Sequence, residues 1–290
     1  MSVPAPFTYY TPTDITQAVT LLEKLGDEAK VLAGGHSLLP MMKLRLAEPK
    51  YLVDIGRIPG LAYIRDAGDH VAIGAMTTYY TLETSDLLRQ LFPMLPEGIA
   101  LIGDQQVRNR GTIGGSLAHA DPAADMPAMI LALNADLVLQ GTKGTRVVNV
   151  NTFFVDMLTT ALQPGELLTE VRLPKPAAGT GMAYKKLANR ASHYAVVGCA
   201  AVVRATDGNC TAATVTITGA SVKPTRASAT ESALVGKPLT AENIAAAAEH
   251  AADNLDVITS DLHGSEEYRR AMTKVFARRA LEAAAARVRG

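Results

Sequence analysis

Two short glycine loops constrain this chain more than any other feature. They are Val31-Leu-Ala-Gly-Gly-His-Ser37 and Arg110-Gly-Thr-Ile-Gly-Gly-Ser116. Paired glycines allow positive φ and place no Cβ in the way of a ligand. Successive backbone amides in such a turn can converge on a phosphate, and Ser37, Thr112 and Ser116 would add hydroxyl donors. The two loops are therefore either two sides of one diphosphate clamp or two tight turns of an α/β protein.

The charge balance argues against a polyanionic partner. The chain of 290 residues has 28 basic and 28 acidic side chains and a formal net charge of zero. A nucleic-acid or membrane-surface partner usually requires a basic face. The first residues, Met1-Ser-Val-Pro-Ala-Pro-Phe7, contain neither the basic nor the apolar region of a signal peptide. We therefore expect a cytoplasmic protein that binds no nucleic acid.

Residues that could bind a metal or carry out catalysis are sparse. The two cysteines, Cys199 and Cys210, are too few for an iron–sulfur cluster, which needs about four thiolates. The six histidines show no metal-ligand spacing, and there is no G-x-S-x-G motif. We predict that this chain holds no metal and supplies no general acid, base or nucleophile.

The apolar periodicity predicts a mixed α and β organisation. A helix is expected from Asp14 to Leu25, stopped by Gly26, and a β-hairpin from Leu61 to Gly74. The proline- and glycine-rich segment 174–181 is the best linker candidate. After it we predict a three-stranded sheet (182–187, 195–205 and 211–220) and two helices (241–255 and 266–289). The first fifty residues do not form a Rossmann unit, because G-x-G-x-x-G is missing.

Two further segments each allow a functional and a structural interpretation. Asp125 could accept hydrogen bonds from ribose or ribityl hydroxyls, or it could cap the helix that starts near Met126. In Tyr184-Lys-Lys-Leu-Ala-Asn-Arg-Ala-Ser-His-Tyr-Ala195, Tyr194 could stack on a planar ring and Lys185 could meet its negative edge. Alternatively, this segment is a solvated basic loop before a buried strand.

Taken together, the motifs resemble one protein family over nearly the whole chain. They are Ala33-Gly-Gly-His-Ser37, Tyr51-Leu-Val-Asp-Ile55, Ile73-Gly-Ala-Met-Thr-Thr78, Arg110-Gly-Thr-Ile-Gly-Gly115, Asp121-Pro-Ala-Ala-Asp-Met-Pro127, Gly165-Glu-Leu-Leu168 and His193-Tyr-Ala195. The chain resembles the FAD-binding medium subunits of molybdenum hydroxylases, and within them the aerobic carbon monoxide dehydrogenase branch.

This resemblance implies an α+β fold of three parts. Residues 1–56 and 57–176 would be two α/β subdomains of the PCMH-type FAD-binding fold. Residues 177–290 would be a C-terminal domain with a three-stranded antiparallel sheet and helices. The residues that the resemblance assigns to FAD are Ala33, Gly34, Gly35, His36, Ser37, Thr112, Ile113, Gly114, Gly115, Ser116, Asp125, Leu168, Lys185 and Tyr194.

The resemblance also implies partner chains and a route for electrons. A large subunit would carry the molybdenum cofactor and a small subunit would carry [2Fe–2S] clusters, in a dimer of heterotrimers. FAD on this chain would pass electrons to a quinone or another external acceptor, and the partners could hold the complex at the inner face of the membrane. The alternatives are a related subunit serving an aldehyde, a purine or an aromatic acyl thioester, and a scaffold without flavin.

Three positions depart from the patterns of relatives. Ile102 stands where the xanthine enzymes have an aromatic residue over the flavin, which argues against NAD as the acceptor. His193 stands where relatives often have an acid, and Ser116 stands where many have Asn. These differences bear on the acceptor and the branch rather than on the cofactor.

Overall fold

The first unit of the fold is a small parallel sheet backed by one helix. The computed structural model describes residues 3–288. The elements of this unit are β1 (Thr8–Tyr10), α1 (Ile15–Leu25), β2 (Ala29–Leu32), α2 (Leu38–Lys43) and β3 (Tyr51–Asp54). Strands β1 and β2 both pair in parallel with β3, which is therefore the central strand.

Helix α1 forms where the periodicity predicts it. The Asp14 carboxylate caps its start by accepting from the Gln17 amide at 2.8 Å. Gly26 ends it with φ +58°, a conformation that costs glycine little. The helix buries Ala18, Val19 and Leu22 against the sheet. The predicted helix and its glycine stop are confirmed.

The second unit is a five-stranded antiparallel sheet covered by short helices. Its elements are β4 (Ile64–Asp66), β5 (His70–Gly74), α3 (Tyr79–Thr84), α4 (Asp86–Leu91), α5 (Met94–Ile99), α6 (Gln105–Arg110), α7 (Ile113–His119), α8 (Asp125–Ala132), β6 (Asp136–Gly141), β7 (Gly144–Asn149), β8 (Phe154–Asp156), β9 (Thr159–Thr160) and β10 (Leu167–Pro174). The strand order is β4-β5-β10-β6-β7, and β8 pairs with β9 as a separate hairpin. The pairing of β4 with β5 confirms the predicted hairpin.

The third unit is an antiparallel sheet backed by helices. Its elements are β11 (Thr180–Ala188), β12 (Ala195–Thr206), β13 (Asn209–Thr218), β14 (Thr225–Arg226), α9 (Ser228–Leu234), α10 (Ala241–Ala248) and α11 (Glu266–Ala285). The three long strands correspond to the predicted sheet, and β14 adds a two-residue fourth strand beside β13.

The helix predicted for 241–255 is shorter than expected. It ends at Ala248, and the following residues form tighter turns with bonds between residues three apart, such as Ala251 to Ala248. The described part of α11 ends at Ala285, before the predicted limit at residue 289. Residue 289 itself lies outside the described residues.

The third unit packs directly on the turn that precedes α8. The amides of Ala195 and Gly219 donate to the carbonyls of Ala123 (3.1 Å) and Pro122 (2.8 Å). The Thr216 hydroxyl donates to the Ala128 carbonyl at 2.8 Å. Met182, Tyr184 and Ala200 also join the hydrophobic core of the second unit. Segment 121–132 therefore belongs to the second unit and is also hydrogen-bonded to the third.

Residues 3–288 contain neither a membrane-spanning helix nor a cluster of metal ligands. Among the helices of this range, none combines the length and apolar character that crossing a bilayer requires. Over the same range, no group of three or more His, Cys, Asp or Glu side chains is placed to hold a metal ion. Cys199 and Cys210 are buried free thiols.

Candidate functional site

The two glycine loops, 31–37 and 110–116, lie against each other. A Cβ added to Gly34 would lie only 2.2 Å from the carbonyl oxygen of Arg110, and one added to Gly115 would lie 3.6 Å from the Ala33 Cβ. The first approach is closer than any side chain allows, so Gly34 is required for the contact. The loops thus meet although they are far apart in the sequence.

The first loop presents unused hydrogen-bond donors. It connects β2 to α2, and Gly35 turns the chain with φ +78°. Within residues 3–288, the amides of His36 and Ser37 donate to no backbone or side-chain acceptor, and the Ser37 hydroxyl does not cap α2. His36 is exposed, and its Nδ1 lies 3.2 Å from the Gly34 carbonyl oxygen. These amides and the hydroxyl suit an anionic oxygen.

The second loop uses its amides within the protein. The Ile113 amide donates to the Thr77 carbonyl (3.1 Å), and the Gly114 amide donates to the Ala75 carbonyl (2.8 Å). The amides of Gly115 and Ser116 donate to Thr112, to its Oγ1 and its carbonyl respectively (3.1 Å each). A Cβ on Gly114 would come within 2.5 Å of Ala75 Cβ, so this glycine serves packing. The second loop can therefore offer a bound group its Thr112 and Ser116 hydroxyls, rather than a row of amides.

Ser116 has a buried aromatic neighbour. Burial raises the pKa of Tyr79, and the nearby Ser116 side chain opposes that shift. The Tyr79 ring also fills the space beside Gly111, where a Cβ would lie 2.9 Å from its ring atoms. Tyr79 thereby supports the second loop from inside the core.

Asp125 forms a buried polar cluster and does not cap its helix. Helix α8 has Ala124 at its N-cap position, with no side-chain hydrogen bond there, so the capping alternative is wrong. Instead, Asp125 Oδ1 accepts from the Tyr184 hydroxyl at 2.5 Å and Oδ2 accepts from Lys186 Nζ at 2.8 Å. Burial raises the pKa of Asp125, and the Lys186 charge opposes the shift. Each carboxylate oxygen keeps acceptor capacity for a further donor.

Lys186 is a residue that sequence reasoning missed. Its side chain is 2% exposed, whereas the neighbouring Lys185 is exposed. Successive side chains of a strand point to opposite faces, so Lys186 shares a face with buried Tyr184 and Lys185 does not. The sequence could have predicted this alternation, because Tyr184 follows an apolar run and Lys186 is two positions after it. Proximity of Lys185 to the cofactor stays a prediction, since the structure does not bring it to Asp125.

Segment 189–194 links the third unit to both earlier ones. Lys186 Nζ donates to the His193 carbonyl at 2.6 Å, and His193 itself has φ +59°. The His193 ring nitrogen Nδ1 lies 2.8 Å from the carbonyl oxygen of Gly103, next to Ile102. Desolvation raises the pKa of Tyr194, the Asp121 charge raises it further, and the nearby Ser37 side chain opposes the shift. Tyr194 therefore lies beside the first glycine loop with 41% of its surface exposed.

Leu168 is less accessible than the other assigned residues. It is 6% exposed and lies in β10 beside a β-bulge that falls between Leu168 and Glu170. It belongs to the same hydrophobic core as Tyr79. Its contact with a cofactor stays a prediction.

Comparison with known proteins gives matches over the whole chain. Residues 5–176 match the family described as the FAD binding domain in molybdopterin dehydrogenase, and residues 182–284 match the CO dehydrogenase flavoprotein C-terminal domain. The carbon monoxide dehydrogenase medium chain of Hydrogenophaga pseudoflava is 44% identical and covers 98% of this chain and 99% of its own length. The corresponding chain of Afipia carboxidovorans is 42% identical, with 99% of each chain covered.

A solved structure of similar sequence has the same fold. It is the carbon monoxide dehydrogenase of Hydrogenophaga pseudoflava that lacks the Mo-pyranopterin moiety of its cofactor. One of its chains superposes with a TM-score of 0.96 at 45% identity, covering 99% of this chain and 100% of that chain.

Proposed function

This chain belongs to the family of FAD-binding medium chains of molybdenum hydroxylases, and from that premise we propose that it is the flavoprotein subunit of an aerobic carbon monoxide dehydrogenase. In this proposal, carbon monoxide is oxidised at a molybdenum cofactor on a large partner chain. Electrons then pass through [2Fe–2S] clusters on a small partner chain to FAD on this one. The observation that carries the proposal is the contact between the two glycine loops, made at Gly34 and Arg110.

The residues around the loops fit the chemical groups of FAD. The free amides of His36 and Ser37, with the hydroxyls of Thr112 and Ser116, suit the diphosphate. The buried Asp125 carboxylate suits a ribityl or ribose hydroxyl. A partly exposed aromatic ring at Tyr194 suits the flat isoalloxazine system.

FAD supplies the redox chemistry, because it can take up and release one or two electrons. The residues of this chain bind and orient it. We propose that the first loop fixes the diphosphate, that Leu168 and Lys185 lie beside the flavin, and that Tyr194 covers its ring. No proton transfer by a side chain is required for these roles.

We propose a quinone as the external acceptor. A quinone takes up two electrons and two protons and leaves as a quinol. The aliphatic side chain at Ile102 supports this choice over a nicotinamide, whose stacking on the flavin an aromatic residue would favour. The complex would then work in the cytoplasm at the inner face of the membrane, as a dimer of three-chain units.

The test uses this chain in complex with its partner chains. Under anaerobic conditions, carbon monoxide should drive reduction of menadione, a quinone without an isoprenoid tail, and should not drive reduction of NAD. An aldehyde, a purine and an aromatic acyl thioester serve as alternative electron donors. Quinone reduction with one of these donors but not with carbon monoxide would assign the chain to another branch of the family.

A further inference from the structure

A cavity lies outside the two glycine loops. It has a volume of about 260 Å³ and lies where the third unit meets the turn before α8. Its wall includes Pro122, Tyr194, Ser221 and His263. A cavity of about 150 Å³ holds a benzene ring, so this one admits one or two fused rings. Drug-sized ligands occupy about 300 Å³ or more, and a dinucleotide is larger still.

The cavity wall contains a hydroxyl group that is free to bind a ligand. Ser221 is 4% exposed, and its hydroxyl makes no hydrogen bond to any of residues 3–288. Thr230 Oγ1 is the one fully enclosed side-chain oxygen without a partner in residues 3–288, so the Ser221 oxygen keeps some accessible surface. Its hydroxyl can therefore donate to an acceptor on a ligand. At the rim, Asn189 Nδ2 lies 3.0 Å from His263 Nδ1. With the amide donating there, the neutral imidazole carries its proton on Nε2 and keeps one donor free.

The charges in the cavity wall compensate each other. Arg269 is 3% exposed. Its donors are directed to Val196 and Gly219 carbonyls (2.6 Å each), to Asp261 Oδ1 (2.7 Å) and to the Gly264 carbonyl (3.3 Å). Burial alone would raise the pKa of Asp261, but the His263 amide and Arg269 outweigh it and lower that pKa. Four of the five Arg269 N–H donors are engaged, and Asp261 compensates the charge of Arg269, so the wall favours an uncharged ligand over a phosphate.

Tyr194 connects this cavity to the site described above. Tyr194 is one of the residues that line the cavity, and its side chain lies near Ser37 of the first loop. A ligand in the cavity would therefore be separated from a cofactor at the loops by one aromatic side chain.

We propose that this cavity binds the ring of the electron acceptor, a neutral quinone whose carbonyl oxygens accept from Ser221 and His263. The size of the cavity, the compensated charges of its wall and its two free donors all match that ligand. The inference rests on the proposed function, because it assumes that the acceptor collects electrons near Tyr194.

The experiment measures quinone binding directly. The oxidised complex of this chain with its partners is titrated calorimetrically with menadione, and its FAD content is determined. Ser221→Leu fills the cavity and removes the hydroxyl. His263→Ala removes the rim donor from an exposed loop, where folding is not at risk. Ser232→Leu is the same type of substitution on the exposed side of α9, and it serves as the matched control.

Ser221→Leu should raise the menadione Kd at least tenfold and His263→Ala about threefold, with Ser232→Leu equal to wild type. FAD content and the rate at which substrate bleaches the flavin should stay unchanged in all three. Unchanged menadione binding in both cavity variants would overturn the inference. Loss of FAD from Ser221→Leu would also overturn it, since the cavity would then hold the cofactor itself. Wild-type complex without FAD would instead refute the proposed function.

Discussion

Replacing Lys186 by Met removes the charge that compensates Asp125 in the protein interior. The two side chains are 2% and 4% exposed, and Nζ and Oδ2 are 2.8 Å apart. Removing one partner of such a buried pair costs about 3–5 kcal/mol, because the other charge stays buried without compensation. The His193 carbonyl also loses its donor, which adds about 0.5–1.5 kcal/mol. We expect the free energy of unfolding to fall by at least about 3 kcal/mol.

Urea unfolding of the purified chain measures this loss. Lys185→Met is the matched control, because the neighbouring lysine is exposed, and it should change the free energy of unfolding by less than about 0.5 kcal/mol. Asp125→Asn in the Lys186→Met background should recover part of the loss, since the amide oxygen can still accept from Tyr184. A coupling energy of about 0.5–3 kcal/mol is expected for residues in contact.

The deficit of Lys186→Met should depend on pH. Burial already raises the pKa of Asp125, and loss of the lysine charge raises it further. When folding raises the pKa of a carboxyl group, its full contribution to stability is present at a pH below the pKa of the unfolded state, which is about 3.9 for Asp. That contribution is lost as the pH rises through the pKa of the folded state. The difference from wild type should therefore be small near pH 4 and grow toward neutrality. A deficit below about 1 kcal/mol at neutral pH, or one independent of pH, would refute the reasoning.

Two further predictions concern FAD in the complex with the partner chains. Gly34→Val should push the two loops apart, since its Cβ would lie 2.2 Å from the Arg110 carbonyl oxygen; FAD per chain should fall below about a tenth of wild type. Ala118→Val, on the exposed face of α7, should retain full FAD content. Tyr194→Ala should shift the flavin midpoint potential with FAD still bound, whereas Tyr194→Phe should keep the wild-type potential. Equal potentials in the wild type and both variants would contradict stacking at this position.

Local patterns were sufficient for the elements built from nearby residues. The apolar spacing and the Gly26 stop predicted α1, and the segment 61–74 predicted the pairing of β4 with β5. Both depend on hydrogen bonds and burial within a short stretch. The glycine loops were recognisable for the same reason. Their contact was only one of two alternatives from the residues alone, because it depends on how the first and second units pack.

The polar site residues show where reading from local sequence fails. Capping by Asp125 was a reasonable local alternative, but its carboxylate is taken by Tyr184 and Lys186 some sixty positions later. Nothing in the local spacing around Asp125 indicates those partners. Lys186 is different, because period-two alternation from Tyr184 already distinguishes it from Lys185. The cavity beside Tyr194 collects residues from 122 to 269 and leaves no local pattern at all.

The most direct test of the central claim is an absorption spectrum of the purified native complex, recorded before and after anaerobic addition of carbon monoxide. The account predicts a flavin band that bleaches when carbon monoxide is added and no acceptor is present. A flavin band that carbon monoxide leaves unchanged, in a complex that another substrate reduces, would contradict the carbon monoxide assignment. A fully assembled complex without a flavin band would contradict the role of this chain as its FAD subunit.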